Sequence, residues 1–367
     1  MRWLRGTLGW TAYLLPFIPL AIVFDAAGAS SSLIFFTSAA GVIPTASLMG
    51  RATEELAERS GPGIGGLLNV TFGNAPELII ALLALGKGLH EVVKATLVGS
   101  IISNILLVLG FAMLIGGWGR DRQRFEQTTA AAQSSMLLLA LAAMVMPAVF
   151  ALSHDGLPHP GDERVNYGST INTLSAAVAG VLVLVYVAGL WFSLRTHRDL
   201  FNPPEHDDID PDSPPWSVRF SVLMLAIAGL AVGGMSEILV GSISDAAHSV
   251  GLSEFFIGAI VVAIVGNAAE HWVAVLVARK DKMNLAVNIA IGSSAQVALF
   301  VMPVLVLCSF FIGPHPMGLV FNGFELSGLV LAVLIANHVT HEGESTWYEG
   351  LQLLGVYAVM AIAFGLA

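Results

Sequence analysis

The 367-residue chain is 56% hydrophobic and only 11% charged, against about 25% charged in soluble domains. So few ionic groups cannot clothe a globular surface, which excludes a soluble two-domain enzyme and predicts a polytopic membrane protein whose main partner is the lipid bilayer. The net charge of −10, without clustered Lys and Arg, argues against nucleic acid as a partner and against anionic-lipid binding as the main task. Cys308 is the single cysteine and lies in an apolar run, so no disulfide framework, CxxC motif or Cys/His zinc site is expected.

A bilayer core of about 30 Å takes about 20 apolar residues per helix, and reading from charge to charge gives eleven spans with short connections. The first lies between Arg5 and Asp25 and the second between Asp25 and Arg51. The third, between Arg59 and Lys87, contains one charge, Glu77, and the fourth runs from Lys94 to Arg120. The fifth (about 127–152) and sixth (about 167–194) are free of charge. The seventh follows Arg219 and contains Glu237; the eighth, between Glu254 and Arg279, contains Glu270. The stretch from Met283 to Gly318 is too long for one span, and Pro314 with Pro316 marks the turn between a ninth helix and a tenth at about 319–340. An eleventh ends the chain. Continuous rather than alternating apolar runs argue against a membrane β-barrel. The first span also has features of a cleaved signal peptide, with Arg2 and Arg5 ahead of it and Ala27-Gly28-Ala29 behind. Retention is favoured, because Pro16 and Pro19 stand well before that small-residue site.

With a cytoplasmic N-terminus, thirteen of the sixteen basic residues fall inside and only Lys87, Lys94 and Arg164 fall outside, the expected positive-inside bias. Asn202–Pro215 carries five acids within Glu205–Asp212. It reads as a proline-stiffened cytoplasmic connector, with a weak Ca²⁺ sensor as the sharper alternative, although its spacing matches no EF-hand loop.

Gly73-Asn74-Ala75-Pro76-Glu77 recurs as Gly266-Asn267-Ala268-Ala269-Glu270. Extended without a gap from 73 to 109, the alignment has 11 identities in 37 positions and pairs Gly99-Ser100 with Gly292-Ser293. About 3 identities are expected by chance, so the repeat is taken as real. The copies lie five spans apart and cross the membrane in opposite senses, the inverted-repeat plan of many secondary transporters, whose ion sites lie near the midplane. The resulting fold class is an all-α polytopic membrane protein of about eleven helices. Residues 1–25 form the first helix, 26–198 a first five-helix repeat, 199–215 the acidic linker and 216–367 a second five-helix repeat.

An ionised carboxylate in a bilayer costs at least about 2.5 kcal/mol and is functional by default. Glu77 and Glu270 are two such groups related by the repeat. Gly73 and Pro76 can open the helix and free backbone carbonyls, which is acceptable only where they line a cavity. With the amide oxygens of Asn74 and Asn267 these carbonyls and carboxylates make an all-oxygen shell, suited to a hard divalent cation, Ca²⁺ before zinc or copper. A merely structural glutamate would need a basic partner, and no Lys or Arg is expected inside any span.

The two GNAxE motifs, Gly50-Arg-Ala-Thr-Glu-Glu-Leu-Ala57 and Gly99-Ser-Ile-Ile-Ser-Asn104 around the first, and Met235-Ser-Glu-Ile-Leu-Val240 ahead of the second carry a resemblance. Gly292-Ser-Ser-Ala-Gln296 and Gly343-Glu-Ser-Thr-Trp347 add to it. On these motifs, over nearly the whole chain, the sequence resembles the Ca²⁺/H⁺ antiporter (CAX) family of the cation/calcium exchanger superfamily. Sodium/calcium exchangers of the superfamily carry Ser or Thr where this chain has Asn. His341-Glu342 departs from the acidic or amide pair more usual in the family. The resemblance implies Ca²⁺ export in exchange for protons, with Glu77 and Glu270 as carriers of both ions. It also implies that Gly73, Asn74, Gly266 and Asn267 join the site, that Ser100, Ser103, Ser293 and Gln296 line it, and that no cofactor is needed beyond the transported Ca²⁺ and H⁺.

Two further residues are candidates for the cavity or the proton route: Glu237, an isolated in-span acid, and His271, which follows Glu270 and points about 100° away from it. Glu54 and Glu55 read as a solvated helix end beside Arg51 and Arg59, or else as part of a cytoplasmic entrance. His338-Val-Thr-His341-Glu342 lacks the HExxH order of a metal hydrolase, and no enzymatic activity is expected. An antiporter in a prokaryotic plasma membrane is therefore the leading reading, and a homo-oligomer is compatible with it. Exchange of another cation (Na⁺/Ca²⁺ or Mn²⁺/H⁺), a cation channel and an embedded hydrolase are the rivals.

Overall fold

The computed structural model describes residues 7–60, 65, 67–68, 71–154, 156–160, 168–196 and 216–367. Among these, ten helices are long and apolar enough to cross a membrane, and a shorter one accompanies them. In chain order they are α1 Gly9–Ala26, α2 Ser31–Arg59, the short α3 Ala75–Gly86, α4 His90–Gly117, α5 Gln127–His154 and α6 Gly168–Arg195. There follow α7 Val218–Val250, α8 Glu254–Arg279, α9 Met283–Cys308, α10 Gly323–Thr340 and α11 Trp347–Gly365. The chain is an integral membrane protein. The acidic stretch 202–215 lies outside the described residues.

One span differs from the reading above. Instead of a continuous helix between Arg59 and Lys87, α3 has 12 residues and follows a break at Asn74. Pro76 explains the break, since it has no N–H to donate to the carbonyl of Phe72 four residues back and its ring crowds that turn.

The chain folds into two compact units, one of residues 1–80 and 186–249, the other of 81–185 and 250–367. Each draws on both sequence halves. In the first unit Met49 of α2, Ala75 of α3 and Ala228 and Val232 of α7 form a buried cluster, flanked by Leu48, Phe72, Ile79 and Leu225.

Glu55 is no solvated helix end. It is 3% exposed, lies 2.5 Å from the Arg51 guanidinium, and its Oε2 accepts the Trp216 backbone N–H at 2.9 Å. This ties the end of α2 to the approach to α7. Glu55→Ala removes a buried charged acceptor from the half-buried Trp216 N–H, a loss of about 1–3 kcal/mol, and should lower the thermal midpoint of the purified protein. Glu54→Ala, at an exposed position, should leave it within experimental error.

In the second unit α4 is the core element, with every residue from His90 to Ile102 buried. The i→i+4 ladder gives way to i→i+5 bonding at Ser103–Val108 in α4, at Ile257–Val262 in α8, and at Asn288–Gly292 and Val297–Val301 in α9. Such bulges concentrate at functional sites. α5 joins α10 through Ser134 and Thr340, whose hydroxyls are 2.9 Å apart.

Outside the spans, β1 (Gln123–Arg124) pairs antiparallel with β2 (Glu344–Ser345). Arg122 lies 2.7 Å from Glu344, and its hydrogen bond holds the Glu344 carboxyl below the usual carboxylate range. β2 thus anchors the segment after His341-Glu342.

Lys94 corrects a third expectation. It lies inside α4, is 8% exposed, and its ammonium donates to the Val320 carbonyl at 2.8 Å.

Candidate functional site

In the first unit the break at Asn74 starts α3 at the motif itself. Glu77 falls in the first turn of α3, where the positive end of the helix dipole favours a carboxylate. Asn74 and Glu77 are 3% and 2% exposed, and the Asn74 carbonyl accepts the Leu78 N–H at 3.1 Å. Among the described residues nothing lies within 4 Å of where a Gly73 side chain would begin. Glu237 lies on an exposed face of α7, next to the fully buried Ser236.

In the second unit the motif does not interrupt its helix. Ala269 replaces Pro76, and Gly266 to Glu270 run continuously through α8, with the bulge one turn earlier. Asn267 is 1% exposed. Its Nδ2 donates to Ser100 Oγ at 3.1 Å and to the Ala263 carbonyl at 3.0 Å. A carbonyl only accepts, so the amide orientation is fixed, and Asn267 Oδ1 is left buried with no hydrogen-bond partner among the described residues. Ser103 in turn donates to the Ser100 carbonyl at 3.1 Å. Glu270 is half-buried one turn beyond Asn267.

The contact between Asn267 and Ser100 depends on Gly99. A Cβ at Gly99 would lie 2.0 Å from the Ala259 carbonyl oxygen, so α4 and α8 touch backbone to backbone one residue before the hydrogen bond. The glycine-serine pair is thus one device, in which the glycine permits the approach and the serine uses it.

His271, also half-buried, meets Asn104: its Nε2 is 3.0 Å from Asn104 Oδ1. Gly292, before Ser293, faces Gln133 of α5, whose Nε2 would lie 3.2 Å from a Cβ there. Ser293 is 8% exposed and Gln296 half-buried. The structure therefore joins Asn267, Ser100 and Ser103 in one network and adds Asn104 and Gln133 to the neighbourhood. Neither is singled out by the repeat, because Asn104 aligns with Val297 in the second copy and Gln133 lies outside the repeated segment. The only signal for Asn104 is its place at the end of the Gly99–Asn104 run.

The model of the sodium/calcium exchanger protein family matches residues 30–195 and 220–366. The chain is 44% identical over 363 residues to the Ca²⁺/H⁺ antiporter of Aphanothece halophytica, covering 96% of this chain and 95% of that one. This chain belongs to the Ca²⁺/H⁺ antiporter (CAX) family. The Ca²⁺/H⁺ antiporter ChaA of Bacillus subtilis is 42% identical, with 95% of this chain and 96% of the relative covered. Among solved structures, native YfkE superposes with a TM-score of 0.81 at 39% identity, covering 97% of this chain and all of YfkE. An H⁺/Ca²⁺ exchanger CAX superposes at 0.72 over 98% of this chain and 89% of its own; at 13% identity it shares the fold alone. The Gly99–Asn267 network thus belongs to a CAX-family transporter.

Proposed function

We propose that this protein exchanges Ca²⁺ for H⁺ across its membrane by alternating access, with Glu77 and Glu270 each binding Ca²⁺ or a proton. The observation that carries the reading is the repeated amide-carboxylate motif, in whose second copy the Asn267 carbonyl oxygen is buried without a donor among the described residues and is therefore suited to a hard cation. Gly73, Asn74, Gly266 and Asn267 complete the ion site, while Ser100, Ser103, Ser293 and Gln296 line it. The two copies are inverted repeats, residues 26–198 and 216–367. Glu237 and His271 serve the proton route, and Asn104 orients His271. The N-terminus is cytoplasmic and the membrane is a prokaryotic plasma membrane. The sequence similarity to antiporters named for Ca²⁺ and H⁺ supports this substrate pair.

Ca²⁺ and protons competing for the same oxygens give exchange without a leak, because ionised, empty carboxylates are too costly to occlude. In proteoliposomes, Ca²⁺ uptake should saturate and require an opposing proton gradient. Half-saturating Ca²⁺ should rise as pH falls, by up to about tenfold per pH unit for each proton displaced. Uptake indifferent to pH, or one that requires Na⁺, would overturn the assignment.

A further inference from the structure

At one end of the second unit the connection between α9 and α10, residues 309–322, is folded into the protein. Phe311 is 91% exposed, but Met317, Leu319, Val320, Phe321 and Asn322 are 3% exposed or less. Buried backbone that is neither helix nor strand must find partners elsewhere, and here side chains supply them. Ser309 Oγ accepts the Met317 N–H at 2.8 Å and Ser175 Oγ the Leu319 N–H at 2.9 Å. Lys94 of α4 donates to the Val320 carbonyl at 2.8 Å, and Glu325 Oε2 of α10 accepts the Asn322 N–H at 2.8 Å. Asn322 returns the bond, its Oδ1 accepting the Glu325 N–H at 2.8 Å.

The seat is shaped as well as bonded. Gly313, at φ +89°, lies so close to the turn between α3 and α4 that a Cβ would stand 2.5 Å from the Leu85 carbonyl oxygen. Gly88, at φ +78°, meets Pro314 in the same way at 2.9 Å. Neither position accepts a side chain without moving backbone, so turn and connection fit each other in one register.

Two of the four side-chain supports carry opposite charges. Glu325 is 1% exposed and its Oε1 is buried with no hydrogen-bond partner among the described residues. Among the described residues the charged groups that act on it are Lys94 and Glu91, both of α4. His90 in turn is acted on by Lys94 and by His315 of the connection. Removing one charge leaves the other buried with less compensation, which costs more than the pair itself contributes. None of these groups belongs to the repeated motifs.

We propose that Lys94 and Glu325 form a charged clasp that seats the 309–322 connection against the turn between α3 and α4, and that loss of either charge, including protonation of Glu325, releases it. They are positioning residues: they act on the connection and through it on that end of the transporter. The clasp does not rest on the exchange reading, because its test follows the connection itself in protein that is not transporting.

The test uses the full chain in proteoliposomes, with Cys308→Ser and a reporter cysteine, Met317→Cys, at a site now 2% exposed. A maleimide is applied to both faces. At one fixed near-neutral pH, labelling should be at least about tenfold faster in Glu325→Gln and in Lys94→Met than in the parent. The double variant should fall back toward the parent, because no lone charge stays buried. Unchanged labelling in Glu325→Gln, or single-variant effects that simply multiply in the double variant, would overturn the clasp. A second measurement needs no change at either residue. The labelling rate of Met317→Cys is divided by that of Phe311→Cys, which cancels the thiol's own response to pH. This ratio should climb as pH falls; a flat ratio overturns the clasp even if both charge variants fail to fold.

Discussion

Glu77→Gln and Glu270→Gln should each reduce Ca²⁺-dependent proton flux in proteoliposomes by at least about 100-fold, a change of about 2.7 kcal/mol in the rate-limiting barrier. Glutamine keeps the shape of the side chain but can neither release a proton nor bring charge to Ca²⁺. Each glutamate follows the asparagine of its motif by three residues: Asn74 stands at the break before α3, and Asn267 is pinned by Ser100 and the Ala263 carbonyl. Replacement by Asp should also impair exchange, because the shorter arm withdraws the oxygens by roughly one bond length, about 1.5 Å, from the proposed ion site. Normal Ca²⁺-dependent proton flux in correctly inserted Glu77→Gln or Glu270→Gln protein would falsify the proposed mechanism.

Gly99→Val should have the largest structural effect of any single substitution in the GNAxE and Gly-Ser motifs. Its Cβ would fall 2.0 Å from the Ala259 carbonyl oxygen and 2.6 Å from the carbonyl carbon, and backbone cannot swing aside as a flexible side chain does. α4 and α8 must separate, at a cost of about 3 kcal/mol or more, and the Asn267–Ser100 hydrogen bond goes with them. The expected result is a steep loss of detergent-stable protein, followed by thermal melting or size exclusion. Gly73→Ala is the informative contrast. Among the described residues nothing lies within 4 Å of a Cβ there, so its thermal midpoint should stay close to that of the parent, and any loss of flux reports on the proposed ion site. A Gly99→Val protein as stable as the parent would show that α4 and α8 do not need this contact.

Within reach of the sequence were those features that depend on neighbours along the chain. Apolar runs of about 20 residues define membrane spans whatever packs against them, and among the described residues ten helices are long and apolar enough for this. Pro76 breaks its helix through atoms only one turn away, so the opening ahead of Glu77 was legible, though not the 12-residue length of α3. The repeat likewise marked Asn74, Glu77, Asn267 and Glu270, because a carboxylate in an apolar span is costly wherever it faces.

The pairings were decided by tertiary structure alone. Asn267 meets Ser100 and His271 meets Asn104 across 167 residues each, Glu55 accepts from Trp216 across 161, and Lys94 reaches Val320 across 226. No local pattern encodes such partners, since each depends on which faces of distant helices touch and at what height. For that reason Lys94 read as the boundary of a span and Glu55 as a solvated helix end, whereas both are buried charges with backbone partners. Buried polar groups must be satisfied, but by which group is settled only when the helices pack.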